Sequence, residues 1–366
     1  MDTELILNRL SRLTKRYAIP AWGIAIYREQ NEICRHVEGF RDYEKKESAS
    51  DGDFYWIYSL TKLSTCTAAM QLIERGKLGL NDLVADYLPA FANLRVLEHG
   101  GLRQARTPLK VIDLMTMRGG FDYDIEGLSG RHGAKAGNAA LISAIAEKPL
   151  GFDPGTKFQY SLCHDVLAGV IAAASGKAYE NWLTDEVFMP LGMRETRFAA
   201  SADELSPFSA QYIYQNGAIM PVSRSNPYVF SPQYRSGGAG LASTLRDYIL
   251  LVNALSNGGL GAAGRRILQE SSVREMAVNR LDHVQIRDFN QWRFGYGYGL
   301  GVRTRLQDSS NPRGIVEFGW DGAAGSYALA DLTNHVAVLY MQHVRNCSPA
   351  FDIIHPALRD AVVEAL

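Results

Sequence analysis

The sequence predicts an α/β (α+β) protein in which one antiparallel sheet is built from both chain ends and carries a helical insertion. Three stretches with different patterns lead to this prediction. Apolar strand patterns occur early, at 21–27 and 33–37, and again late, between 297 and 343. The stretch between them is mostly helical in pattern, with Gly and Pro turns separating the segments. We therefore expect one domain of residues 1–65 and 225–366 and a mostly helical domain of residues 66–224.

The individual elements follow from local periodicity. The chain opens with an amphipathic helical pattern, and a second helix is predicted to start at Ser59 and to end before Gly76. Further helices are predicted at 109–117, 139–147, 162–174, 179–188 and 245–257. Strands are predicted at 297–303, 314–318, 326–331 and 335–343, followed by a closing helix at 350–366.

Composition narrows the class of protein. The 366 residues are 46% hydrophobic and 21% charged, which is typical of a globular enzyme. A net charge of −1 without a basic cluster argues against a nucleic-acid partner, and no apolar run approaches the ~18 residues of a membrane span. The acidic start does not resemble a secretory signal, and the four cysteines lack CxxC spacing. We expect a cytoplasmic protein with no metal site and no membrane partner.

Ser59 and Lys62 form the most informative motif. Residues three apart on a helix share a face, with Cβ atoms about 5–6 Å apart, so a neutral lysine amine could take the serine proton. At a helix start, unpaired N–H groups and the helix dipole favour an oxyanion, whereas the dipole and burial disfavour protonated Lys62. Ser-x-x-Lys is the acylation motif of penicillin-binding proteins and serine β-lactamases. The alternative is that Ser59 only caps the helix.

Two further segments supply candidate chemistry. Tyr160 stands at a helix entrance after a Pro-Gly turn and could relay a proton, provided that positive neighbours lower its pKa from ~10. The alternative is a tyrosine packed on a helix start. The small residues of the segment 318–326 let a substrate lie close to the backbone, and a main-chain N–H there could be an oxyanion donor. The alternative for this segment is an ordinary Gly-rich turn.

Six segments together resemble the class C β-lactamase-related serine hydrolases, in order and spacing, over nearly the whole chain. They are 54–62, 107–115, 154–161, 190–196, 237–244 and 295–301. The resemblance implies an α/β sandwich with a helical domain and the nucleophile at their junction. It also implies that Ser59 is acylated, that Lys62 and Tyr160 share the proton transfers, and that no cofactor is needed.

The departures from the family pattern concern substrate recognition. The family's β-lactamases and D-Ala-D-Ala peptidases have Tyr-x-Asn, but here Leu162 stands at the Asn position. Their third motif begins with Lys or His, but here it is Trp320-Asp321-Gly322. Both changes resemble the family's esterase branch, some of whose members also carry an acid at the position of Asp165. We expect Asp165 to complement its own helix N-terminus rather than to act in catalysis.

These observations predict a hydrolase that cleaves carboxylic esters through an acyl-enzyme. Ser59 is the predicted nucleophile, Lys62 the base and Tyr160 the proton relay, with the N–H groups of Ser59 and Ala323 as the oxyanion hole. Substrate contacts are expected from Trp320, Asp321, Gly322, Leu162 and Tyr58. A β-lactamase, an amidase or D-amino-acid peptidase, and an acyltransferase are alternatives on the same residues. Outside catalysis, the alternative is a sensor that stays acylated. The expected partner is a small ester or amide, and the oligomeric state is left open.

Overall fold

The largest element is an eight-stranded antiparallel sheet. The computed structural model describes residues 1–124, 136–229, 231–290, 294–309 and 311–366. In spatial order the strands are Tyr296–Tyr298, Arg303–Arg305, Glu317–Asp321, Tyr327–Asp331, Val336–Met341, Ala21–Arg28, Asn31–Asp42 and Glu47–Ser48. The first strand of the chain thus pairs with a strand near its end, with Ile24 opposite Tyr340. The prediction of one sheet built from both ends is confirmed.

The central strands are apolar on both faces because helices cover both. Ile24 and Val338 belong to an apolar cluster with Leu358 of the closing helix His355–Ala365 and Leu10 of the first helix, Thr3–Arg16. The next residue along the strand, Ala25, faces the other way and joins the main core, where the helix Leu245–Ser256 packs on the sheet. Successive strand residues point to opposite faces, so strands buried on both faces read as continuous apolar runs.

The middle of the chain is largely helical. The remaining α-helices in the described part of the chain are Thr61–Glu74, Val84–Tyr87, Val111–Met115, Asn138–Glu147, Cys163–Ser175, Tyr179–Trp182, Met189–Leu191, Glu270–Met276 and His283–Asn290. Two predicted helices contain a π-helical segment. The predicted helix 179–188 ends with Leu183–Phe188, and the predicted helix 350–366 begins with Ala350–Ile354. The helix Thr61–Glu74 packs against Cys163–Ser175, and both are buried over most of their length. The predicted domain boundary after residue 65 falls inside Thr61–Glu74.

Three small sheets among the described residues were not predicted. In the first, Leu241–Ser243 is the middle strand and pairs with Tyr55–Trp56 on one side and Arg197–Phe198 on the other. In the second, Gln211–Gln215 is the middle strand and pairs with Val344–Arg345 and Ala218–Val222. The third pairs Arg95–Glu98 with Gly101–Gln104. All of these strands are two to five residues long, too short for a clear periodic pattern.

Two predicted strands are placed differently by the structure. The predicted strand 297–303 is two strands, because the chain reverses at Gly301, whose φ of +79° is a conformation that favours glycine. The predicted strand 314–318 is instead Glu317–Asp321, since Gly314 is also in the left-handed region, at φ +61°. The motif residues Trp320 and Asp321 therefore end a strand, and the turn between strands begins at Gly322.

We predict that Asp247→Ala destabilises the protein by about 2–4 kcal/mol, because it leaves several buried or part-buried donors without this acceptor. Asp247 is buried at the start of Leu245–Ser256, and its carboxylate accepts from the backbone N–H groups of Arg194, Glu195 and Thr196 at 2.9, 3.2 and 2.7 Å. Urea unfolding measures the effect. The matched control is the exposed Asp203, whose change to Ala should cost under about 0.5 kcal/mol. Equal losses in the two variants would contradict this account.

Candidate active site

The nucleophile candidate lies in a strained turn. The strand Tyr55–Trp56 leads into a 3₁₀ turn, Tyr58–Leu60, and the α-helix begins only at Thr61. Ser59 is therefore in the turn that precedes the helix rather than in its first α-helical turn. Tyr58 has φ +46°, which costs a bulky residue on the order of 1–3 kcal/mol and is typical of functional sites.

Lys62 contacts this turn from inside the protein. Its Nζ lies 3.2 Å from Ser59 Oγ and donates to the carbonyl of Gly238 at 2.7 Å. The Lys62 side chain has no exposed surface, and this burial lowers the pKa of its amine to about 7, although the nearby Asp165 carboxylate acts in the opposite direction. A substantial fraction of Lys62 is thus neutral at neutral pH and able to accept a proton.

The helix-capping alternative for Ser59 is wrong. Leu60, not Ser59, holds the N-cap position of Thr61–Glu74, and no side chain caps this helix. The Ser59 hydroxyl instead meets Lys62 and the phenol of Tyr160.

Tyr160 brings a second polar group to the Ser59 hydroxyl. It stands two residues before the Leu162 N-cap of Cys163–Ser175, and its hydroxyl accepts from the indole N–H of Trp320 at 3.2 Å. Burial raises the pKa of the Tyr160 phenol above its ordinary value. The condition that positive neighbours lower this pKa is therefore not met, because the loss of solvent outweighs the hydrogen bonds that favour the phenolate. Tyr160 is suited to pass a proton as a neutral hydroxyl.

Aromatic rings hold Tyr160 in this position. Its ring is stacked between Tyr123, at a centroid distance of 5.7 Å, and Trp320, at 5.5 Å. Tyr228 meets Tyr123 edge-on at 5.6 Å. Stacked and edge-on pairs favour defined ring geometries, so the phenol has little freedom to turn away from Ser59.

Ser59 opens into a cavity of about 490 Å³ with largely aromatic walls. Six of the predicted residues line it: Ser59, Tyr160, Trp320, Asp321, Gly322 and Ala323. Five further lining residues were missed by the sequence analysis: Tyr123, Tyr228, Phe289, Phe351 and Asp352. No motif marks these five residues, because they come from separate loops and helices that only the fold brings together.

Two predicted substrate contacts are not in the cavity wall. Leu162 is buried in the main apolar core at the N-cap of Cys163–Ser175. The turn into this helix carries Leu162 away from the face that Tyr160 occupies, so the residue at the family's Asn position does not reach the cavity here. Tyr58 is fully buried behind the wall, with its hydroxyl bonded to Gln211.

The end of the strand Glu317–Asp321 brings the backbone up to the nucleophile turn. A Cβ at Gly322 would lie 2.6 Å from the carbonyl oxygen of Ile57, so only glycine allows this approach. The next residue, Ala323, lines the cavity with Ser59, and its N–H has no acceptor among the residues that the structure describes. Asp321 also lines the cavity, but its carboxylate pairs with the buried guanidinium of Arg303.

Asp165 lies at the site rather than serving only its own helix. It is buried in the first turn of Cys163–Ser175, and it accepts hydrogen bonds from Tyr234 and Ser236 at 2.5 and 2.6 Å. Its charge acts on Lys62 and raises the pKa of that amine. The sequence shows an acid five residues after Tyr160, but its position at a helix N-terminus led to the expectation of a role in the helix alone.

Within the described part of the chain, no group of three or more His, Cys, Asp or Glu side chains is arranged to hold a metal ion. No described helix combines the length and the apolar composition that crossing a bilayer requires. All four cysteines are free thiols, and burial raises the pKa of Cys66, the one nearest in sequence to Lys62.

The chain belongs to the beta-lactamase family of serine hydrolases, whose family model matches residues 7–361. An uncharacterized protein of Mycobacterium tuberculosis is 28% identical over 331 residues, covering 85% of this chain and 82% of its own. A Salmonella enteritidis protein, provisionally named a D-alanyl-D-alanine carboxypeptidase, is 24% identical over 347 residues, covering 88% and 74%. The solved structure of "EstCE1, a hydrolase with promiscuous acyltransferase activity" has the same fold, with a TM-score of 0.80, 23% identity and 98% of each chain covered.

We predict that Lys62→Met raises the stability of the protein at pH 7, by about 1–3 kcal/mol, because a buried amine is removed. The gain should shrink as the pH rises from about 7 towards 10.5, the folded and ordinary pKa values of this lysine. In that window the unfolded wild type holds a proton that the folded form lacks, so the wild type gains stability with pH. Chemical denaturation at several pH values measures this. The exposed Lys77→Met is the control, and a pH-independent gain would contradict the assignment.

Proposed function

We propose that this protein cleaves carboxylic esters through an acyl-enzyme on Ser59. The observation that carries the proposal is the 3.2 Å contact between Ser59 Oγ and a buried Lys62 amine whose pKa is about 7. A lysine with this pKa is a competent general base near neutral pH. The hydroxyl that it serves opens into an apolar, aromatic cavity.

Acylation begins when Ser59 Oγ attacks the ester carbonyl carbon. The Ser59 proton passes to the neutral Lys62 amine as the new C–O bond forms. The carbonyl π electrons move to the oxygen, which receives hydrogen bonds from the N–H groups of Ser59 and Ala323.

The tetrahedral intermediate then collapses. The bond to the alcohol oxygen breaks, and that oxygen takes a proton that returns from Lys62 through the Tyr160 hydroxyl. Water repeats the sequence in the second half: it attacks the acyl carbon, gives a proton to Lys62, and Ser59 leaves with that proton restored.

The cavity wall favours neutral esters over substrates that carry a carboxylate. None of the described lining residues is Lys or Arg, and two of them, Asp321 and Asp352, are acids. A substrate carboxylate would lose hydration without gaining a cation, which is unfavourable. Recognition of a peptide or a lactam by its carboxylate is therefore disfavoured.

Acyl transfer is the second candidate. Trp320, Phe289 and Phe351 give the cavity an apolar surface on which an alcohol could be held in place of water. The fold neighbour that is titled a hydrolase with promiscuous acyltransferase activity is consistent with this possibility. Product analysis with an added alcohol separates transfer from hydrolysis.

We predict that hydrolysis of p-nitrophenyl acetate rises with pH through one ionisation near 7, since protonated Lys62 cannot accept the Ser59 proton. Ser59→Ala should lose activity by on the order of 10³-fold or more. Lys62→Arg should be nearly inactive at every pH, because guanidinium stays protonated. Initial rates from pH 5 to 9 and the mass of the covalent adduct with a phosphonate probe test this. Labelling on Cys66, or high activity in Lys62→Arg, would exclude the mechanism.

We predict that p-nitrophenyl esters are hydrolysed at least ~10²-fold faster than nitrocefin, a difference of about 3 kcal/mol. Trp320→Lys should reduce the difference between ester and nitrocefin hydrolysis, because it places a cation in the cavity wall. Trp320→Phe is the control, since it keeps an aromatic ring beside Tyr160 without adding charge. The ratio of kcat/KM for the two substrates is the measurement, and equal ratios in both variants would show that Trp320 does not set the preference.

A further inference from the structure

A buried carboxylate oxygen lies beside the Lys62 amine without a partner of its own. The Oδ1 atom of Asp165 accepts two short hydrogen bonds, from Tyr234 and Ser236. Its Oδ2 atom is buried and has no hydrogen-bond donor among the described residues. A buried acceptor left unpaired costs about 1–3 kcal/mol, so its retention needs a physical reason.

The surroundings of Gly238 show how close this oxygen is to Lys62. A Cβ built on Gly238 would be 2.7 Å from Asp165 Oδ2 and 3.3 Å from Lys62 Nζ. The two atoms are therefore within about 6 Å of each other, the range in which an opposite charge stabilises a protonated amine. Because residue 238 is a glycine, no side chain occupies the position between them.

The same carboxylate also holds the segment that binds Lys62. Ser236, which donates to Asp165, accepts in turn from the N–H of Ala239 at 3.0 Å. Between these residues, the Gly238 carbonyl accepts from Lys62 at 2.7 Å. The two oxygens of Asp165 thus differ in their contacts: Oδ1 anchors the loop that carries this acceptor, and Oδ2 lies within about 6 Å of the amine.

The other titratable groups around Lys62 do not supply a negative charge. Burial raises the pKa of the thiols of Cys66 and Cys163, so both stay protonated. Burial lowers the pKa of His164 well below its ordinary value, so its imidazole is neutral. The phenol of Tyr160, whose ring centroid is 4.7 Å from Lys62 Nζ, is neutral as well.

We infer that Asp165 is a positioning residue that holds the Lys62 amine in place and sets the pH at which it becomes a base. The inference rests on the proposed role of Lys62 and Ser59, but not on the choice of ester as substrate. Without the carboxylate, the protonated amine would lose its counter-charge and would give up its proton more easily.

The test is the pH dependence of Ser59 acylation by a neutral fluorophosphonate probe, followed by intact mass from pH 4.5 to 9. Asp165→Asn keeps an oxygen that can accept from Tyr234 and Ser236 but removes the charge. The acid limb of its pH profile is the range in which the acylation rate falls as the pH is lowered. This limb should move to lower pH by about one unit or more relative to the wild type. An unmoved acid limb in a folded Asp165→Asn protein would overturn the inference.

Ser236→Ala and Tyr234→Phe are the matched controls, because each removes a hydrogen bond to Asp165 and keeps its charge. They should lower the acylation rate. The acid limb of their pH profiles should shift by less than half as much as that of Asp165→Asn. A loss of rate at unchanged pH midpoint in all three variants would mean that Asp165 is only structural.

Gly238→Ala gives a second measurement if Asp165→Asn does not fold. Its methyl group would separate Asp165 Oδ2 from Lys62 Nζ, so the acid limb should again move to lower pH. A shift to higher pH would overturn the inference. The probe reads Ser59 reactivity directly, so a protein that is labelled but cleaves no p-nitrophenyl ester would reject the ester proposal and leave this test valid.

Discussion

The burial of one lysine amine is the constraint on which the rest of the site depends. Lys62 has no exposed surface, and a charged amine without solvent is costly unless its surroundings compensate. Two groups compensate in part: the Gly238 carbonyl accepts a hydrogen bond from the amine, and the negatively charged Asp165 carboxylate lies close to it. These two groups hold the amine in place, but they do not offset the effect of burial on its charge. The pKa of the amine falls to about 7, so a substantial fraction is neutral at neutral pH. Low solvent access thus makes the Lys62 amine able to act as the proposed base.

That burial requires both halves of the molecule. Lys62 lies on a helix packed against Cys163–Ser175, and the cavity is closed on its other side by the end of the sheet strand Glu317–Asp321. The close approach of Gly322 to the Ile57 carbonyl joins the sheet to the nucleophile turn. The sheet is itself assembled from the two chain ends, so the site forms only when residues more than 250 positions apart in sequence meet.

The sequence was sufficient for long, regular elements and for short-range motifs. The central strands and the helix Cys163–Ser175 could be located because burial gives them continuous apolar patterns. Ser59 and Lys62 could be paired because three-residue spacing fixes their geometry. The short strand pairs could not be predicted, since strands of two to five residues show no clear periodic pattern. Leu162 was placed wrongly because the direction of its side chain depends on how the chain turns into a helix, and Tyr123 was missed because only tertiary packing brings it to Tyr160.

The opposite pKa shifts of Lys62 and Tyr160, the two groups proposed to transfer protons, have a common cause. Burial disfavours the charged form of each, and the charged form is the cation for Lys62 but the anion for Tyr160. One buried, aromatic environment therefore favours a neutral amine and a neutral phenol at the same pH. The Trp320 indole donates to the Tyr160 oxygen, which leaves the phenol proton to point towards Ser59 or a leaving group. In the proposed mechanism, an aromatic residue at the third motif would thus serve the proton path as well as the apolar wall. A lysine at this position would add a positive charge close to the amine that is proposed to act as the neutral base.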